Sequence, residues 1–161
     1  SIFTVLFTIV ITNLYPSLSV SEARINAFFK RVASSYNCNS KGVLSVVFLN
    51  KEDHSQLHGQ FLNDFRPTDV ITFPADPEND LVGEICVSVD QAIEFSDNEK
   101  LTLDQEISLY LIHGWLHLVG FDDKNANDRK IMKREEANAL EIIEKDDLWP
   151  HFLLASRSAA D

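Results

Sequence analysis

His113 and His117 stand four residues apart in HGWLHLVGFDD, with Gly120 closing the run and Asp123 three residues further on. On an α-helix, residues i and i+4 lie one turn apart on one face, so two imidazoles at this spacing can grip one ion. A glycine just beyond can take the left-handed conformation that stops a helix and turns the chain back. The returning chain then offers a third donor, Asp123. Two imidazoles and one carboxylate with an open fourth position describe a catalytic zinc site better than a structural one.

A second pair, His54 and His58, has the same spacing in KEDHSQLHGQ. Its surroundings are polar and no turn glycine leads to a further donor, so both are expected at the surface. His113 and His117 differ because Ile107, Leu109, Tyr110, Leu111, Ile112, Leu116 and Leu118 make their helix apolar almost all round, the mark of a buried helix. Buried imidazoles without a partner are costly, whereas an ion satisfies both. The pair is therefore expected in the interior, at the bottom of a cleft. Trp115, between them, reads as core. His151 has no such context.

Zinc proteases of the HExxHxxGxxH or HExxHxxGxxD type share this frame, and their Glu is the general base that activates water. Here the residue is Gly114, so a peptidase is not the reading. Glycine inside a helix costs up to about 1 kcal/mol relative to Ala, and its presence points to a substrate or another backbone coming close.

The elements that must position these side chains follow from patterning. SIFTVLFTIVIT is rich in Ile, Val, Thr and Phe and reads as a buried strand. It is too short to span a bilayer, which needs roughly 20 apolar residues, and it lacks the basic start and cleavage site of a secretory signal. Ser19 and Glu22 form a capping-box pattern before a helix carrying Ile25, Phe28, Phe29, Val32 and Tyr36. A turn, NCNSKG, leads to a strand over 43–50. Asn50 is placed to cap a short helix with Leu57, Phe61 and Leu62 on its apolar side. Strands over 69–74 and 81–89 follow, then a polar helix from about Asp90 to Lys100. Thr102 and Gln105 form a capping box for the histidine helix, and a last helix runs from Asn125 to Lys145 with Ile131, Met132, Leu140 and Ile143 inward. Four strands with helices before, between and after them, and no linker to divide them, make this a single α+β or α/β domain spanning residues 1–161.

The chain has 161 residues, 45% of them apolar, which excludes disorder. Two cysteines, Cys38 and Cys86, are too few for a disulfide framework, and Cys86 reads as a small core residue. A reducing, cytoplasmic setting is expected. The net charge of −11 is awkward for broad nucleic-acid affinity, which rests on Lys and Arg, although local patches count for more than the sum. Arg129, Lys130, Lys133 and Arg134 read as a solvated helix face interleaved with Asp128, Glu135 and Glu136.

HGWLHLVGFDD resembles the HGxLHLxGYDH signature of the YbeY family of metal-dependent, single-strand-specific endoribonucleases in ribosomal RNA maturation. FLNDFRPTDVITFP (61–74) resembles that family's arginine and PTDVLSFP region, and VGEICVSVD (82–90) its GDIxIS strand. The blocks come in the family's order, and the resemblance implies a compact α+β domain, a four-stranded mixed sheet packed with helices, with its metal cleft beside the buried central helix. The resemblance implies one zinc ion held by His113, His117 and Asp123, the last standing where the family has a third His. Asp122 is an alternative third ligand. The Asp-for-His exchange adds a negative charge beside the ion, which weakens it as a Lewis acid. Arg66 is implied as the arginine near the reacting phosphate, and a deletion sets it directly against Pro67; paired with Asp64 or Asp69 it would instead anchor a loop. Glu106, seven residues before His113, is a weak candidate for general base beside its reading as a solvated first-turn carboxylate. The implied partners are single-stranded or precursor ribosomal RNA and the small ribosomal subunit or its assembly factors, with no membrane and an unknown oligomeric state. Two alternatives stand beside this: a non-catalytic ribosome-biogenesis factor with a structural zinc, and a metallohydrolase of another substrate.

Overall fold

The computed structural model describes residues 3–38, 40–62 and 68–155. Arg66, and with it the proposed arginine–phosphate contact, lies outside the described residues. Four strands form the main sheet in the order β1 (Phe7–Asn13), β3 (Gly42–Leu49), β5 (Leu81–Ser88), β4 (Val70–Phe73). The first three run parallel and β4 is antiparallel to β5, the mixed sheet that the resemblance implies. A two-stranded ribbon, β2 (Leu18–Ser19) with β6 (Leu153–Leu154), was not foreseen. The helices are α1 (Glu22–Ala33), α2 (Lys51–Leu62), α3 (Val89–Glu99), α4 (Leu103–Leu118) and α5 (Ala126–Lys145).

Successive strand residues point to opposite faces, and the core divides accordingly. Leu44, Val46 and Phe48 of β3 and Ile85 and Val87 of β5 join Phe28 and Phe29 of α1, Trp115 of α4 and Ile143 of α5 in the larger core. The intervening Val47, Leu49 and Cys86 join Ile71 and Leu57 of α2 in a smaller one. Thus α1 and α4 cover one face and α2 the other. Each large aliphatic side chain fully buried here contributes about 1.5–3 kcal/mol.

Several local expectations need correction. β1 starts at Phe7, and its buried and exposed residues alternate, with Val10 half exposed; it is an edge strand, half-buried rather than buried. Ser21, not Ser19, caps α1, accepting the Arg24 N–H, because Ser19 is taken into β2 by pairing with Leu153. Asn50 does cap α2, accepting the Asp53 N–H at 2.8 Å. However, Phe61 and Leu62 are exposed and the buried positions of α2 are His54 and Gly59.

Two glycines set how deeply α4 lies on the sheet. A Cβ on Gly114 would come within 2.8 Å of Ile85 Cγ2 and 3.1 Å of Thr72 Cγ2, and one on Gly83 within 2.6 Å of Leu118 Cδ2. Strand side chains, rather than a substrate or another backbone, explain the glycine after His113.

Candidate metal centre

The histidine helix is fixed at both ends by its sequence. At its start, Thr102 Oγ1 accepts the Gln105 N–H at 3.0 Å and Gln105 Oε1 accepts the Thr102 N–H at 3.1 Å, the full capping box. At its end, the Gly120 N–H reaches the His117 carbonyl and the Phe121 N–H the Leu116 carbonyl. This pair of bonds is a Schellman motif, and the positive φ of 107° at Gly120 is what allows it. The chain thereby turns back over the last turn of α4. Asn125 then caps α5 by accepting the Asp128 N–H at 2.8 Å. Arg129 holds the connecting loop from α5, its Nη1 donating to the carbonyls of Asp123 at 3.4 Å and Lys124 at 3.1 Å.

That loop delivers Asp123 to the two rings. His113 Nε2 and His117 Nε2 lie 3.0 Å apart, and Asp123 Oδ2 is 3.4 Å from each. Tetrahedral zinc, with bonds of about 2.0–2.1 Å, separates its donors by about 3.4 Å. The triangle is therefore of a size to hold such an ion, and it is the only group of its kind among the described residues. Asp122 is exposed and its Oδ1 accepts the Asp123 N–H at 2.8 Å. Between the two adjacent carboxylates, Asp123 is the one that faces the rings.

The rings line cavities, but they are partly exposed rather than interior. Their side chains are 24% and 25% exposed and that of Asp123 40%, whereas Trp115 and Leu116, between them in sequence, are fully buried. Trp115 stacks at 5.3 Å on Phe7, inside the core. His117 and Asp123 open onto a cavity of about 440 Å³ with Thr72, Pro74, Gly120 and Lys124 on its walls. His113 opens onto a second cavity of about 470 Å³.

Two carboxylates are more buried than the sequence suggests. Glu136, expected on a solvated face, has its Oε1 3.2 Å from His113 Nδ1 and a side chain only 14% exposed. Nδ1–H donates to Glu136, which leaves the Nε2 lone pair for an ion and fixes the ring's orientation. The signal was present: Met132, Glu136, Ala139 and Ile143 follow one another at helical spacing, and the other three are buried. Glu106 is 4% exposed rather than solvated, with the Tyr110 hydroxyl as its partner. Burial raises its pKa, the Tyr110 hydrogen bond opposes this, and the charge of Asp69 adds to the rise. Burial lowers the pKa of His113, but the Glu136 hydrogen bond and the charges of Glu136, Asp69 and Asp123 outweigh it, so the net shift is upward.

The first helix pair departs from expectation as well. His54 is 1% exposed, with Nε2–H donating to the Cys86 carbonyl at 2.8 Å, and its Nδ1 has no partner among the described residues.

Comparison with known proteins is consistent with this geometry. The family described as Endoribonuclease YbeY matches residues 11–144. A Protochlamydia amoebophila protein named Endoribonuclease YbeY is 35% identical over 136 residues, covering 82% of this chain and 90% of the relative. Another of that name from Parabacteroides distasonis is 28% identical over 128 residues, covering 80% and 89%. A solution structure of a Thermotoga maritima protein superposes with a TM-score of 0.59 at 24% identity, covering 86% of this chain and 91% of that one; it supports the fold.

Proposed function

Because the chain belongs to the YbeY family of endoribonucleases, we propose that it is a zinc-dependent, single-strand-specific endoribonuclease acting in ribosomal RNA maturation. The observation that carries the reading is the triangle of His113, His117 and Asp123 beside an open cavity. A structural zinc site closes all four positions with protein atoms, whereas three donors facing open space leave one for a substrate.

Zinc, when bound, supplies Lewis acidity to a phosphoryl oxygen and lowers the pKa of water. The chain's own residues do the rest. His113 and His117 hold the ion, with Glu136 keeping the His113 ring in the tautomer that presents Nε2. Asp123 supplies the anionic donor and moderates the charge of the site. Arg66 is assigned to the phosphate, where a guanidinium matches two oxygens at once. Gly114 leaves no carboxylate at the position of a protease base. Glu106 borders the cavity beside His113 with the Tyr110 hydroxyl as its partner, and it is a weak candidate for a proton acceptor.

The substrate is single-stranded precursor ribosomal RNA, met in the cytoplasm on the small subunit or with its assembly factors. No described helix is long and apolar enough to cross a membrane. The test is purified protein with single-stranded RNA, with and without a chelator. Cleavage is expected only with metal, and cleavage by the double variant His113→Ala, His117→Ala would end the proposal. Accumulation of unprocessed 16S precursor in cells lacking the protein tests the ribosomal assignment.

A further inference from the structure

The cavity beside His113 differs in chemistry from the one beside Asp123. It lies between the Gln91–Phe95 face of α3 and the Glu106–Leu109–His113 face of α4, with Asp69 at its rim. Residues four apart on α3 and three or four apart on α4 necessarily share a face. Among the described residues its lining holds no Lys or Arg, and Asp69, Glu106 and Glu136 all border it. Those three carboxylates disfavour a phosphate inside it. A second cation is not favoured either, since those carboxylates do not converge as the triad does. The walls combine an exposed aromatic ring, Phe95, an aliphatic side chain, Leu109, a side-chain amide, Gln91, and carboxylate acceptors. Single-stranded RNA is recognised by stacking of splayed bases and hydrogen bonds to their edges.

We propose that this cavity holds the nucleobase of the nucleotide next to the phosphate at the metal, and that its carboxylate edge selects guanine. The inference rests on RNA being the substrate. A nucleobase fits within about 470 Å³ while its phosphate stays at the triad, since His113 belongs to both. Among the four bases, guanine alone presents two adjacent N–H donors on its Watson–Crick edge, a match for one carboxylate. Uracil and cytosine bring carbonyl oxygens to the same place, and adenine a bare ring nitrogen. Asp69 is exposed and oriented: its Oδ1 accepts the Val70 N–H at 2.8 Å, and each carboxylate oxygen can accept more than one bond.

The experiment measures binding of the 3′- and 5′-monophosphates of guanosine, adenosine, cytidine and uridine to zinc-loaded protein by calorimetry. Guanosine monophosphate is expected to bind about tenfold tighter than uridine monophosphate in one of the two series. Asp69→Asn keeps the oxygen that Val70 uses but turns an amide N–H toward guanine, so the preference should vanish. Phe95→Ala should weaken all four by a similar factor. Equal affinity for the four, no binding at all, or a preference untouched by Asp69→Asn would overturn the pocket. Cleavage of single-stranded RNA, assayed alongside, judges the nuclease reading separately: RNA cut with four equal affinities removes only the pocket. Guanine-selective binding without cleavage removes only the nuclease.

Discussion

The molecule contains two histidine pairs at the same helical spacing, on opposite faces of one sheet, and only one converges with a carboxylate into a group able to hold an ion. On α4, His113 and His117 point their Nε2 atoms at a common place 3.0 Å apart, and Asp123 arrives beside them. On α2, His54 turns inward and spends its Nε2–H on the carbonyl of Cys86. Spacing puts two rings on one stripe of a helix, but the orientation of that stripe decides their use. The α2 stripe faces strand backbone. The α4 stripe faces a loop that a glycine has folded back.

The strongest way to break the comparison is to exchange the expected losses. His113→Ala with His117→Ala should abolish stoichiometric zinc, measured by elemental analysis, and RNA cleavage with it. His54→Ala should leave one zinc per chain and lower unfolding stability by about 1–3 kcal/mol in urea titrations, from the lost bond and the exposed gap. Zinc lost from folded His54→Ala would erase the contrast between the pairs. Next in size is Glu136→Ala, which should weaken zinc about 10–100-fold in chelator competition by freeing the His113 ring. Unchanged affinity would remove Glu136 from the site.

A smaller effect sharpens the α2 side. Burial lowers the pKa of His54, helped by the charge of His58 and opposed by the Cys86 hydrogen bond and Asp69. The folded chain therefore keeps His54 neutral while the unfolded chain takes up a proton near the ordinary value of about 6.5. Above that value the group contributes no pH dependence; below it, stability falls until the lower folded pKa is reached. His54→Gln should flatten that part of the acid limb in denaturation measured from pH 7 downward, and an unchanged slope would place the titration elsewhere.

Much of the fold was legible because it is locally encoded. The capping box of α4, the Gly120 stop, the Asn50 cap and the strand runs each announce themselves within a few residues. What stayed hidden depends on distant partners. Ser19 carries a good capping pattern, but pairing with Leu153 across the chain removes it from the helix. His54 sits in a polar stretch and is buried only because β5 offers it a carbonyl. Glu136 and Glu106 look like surface carboxylates until the packing of α4 against its neighbours closes over them. The triad of possible ligands is legible in the spacing of His113, His117 and Asp123, whereas the carboxylates behind it emerge from packing. Glu136 was the recoverable exception, a charge lying on an otherwise buried stripe.

Gly114 also limits what this scaffold can become. In proteases of similar frame, the residue after the first His carries the water-activating carboxylate. Here that position is a joint pressed against two β-branched strand residues, Ile85 and Thr72. Installing Gly114→Glu should give poorly folded protein, seen as a loss of the cooperative thermal transition, with no casein hydrolysis gained. Single substitutions at this residue thus lead away from a working enzyme, and a route to peptide cleavage would have to rebuild the strands before it changed the helix.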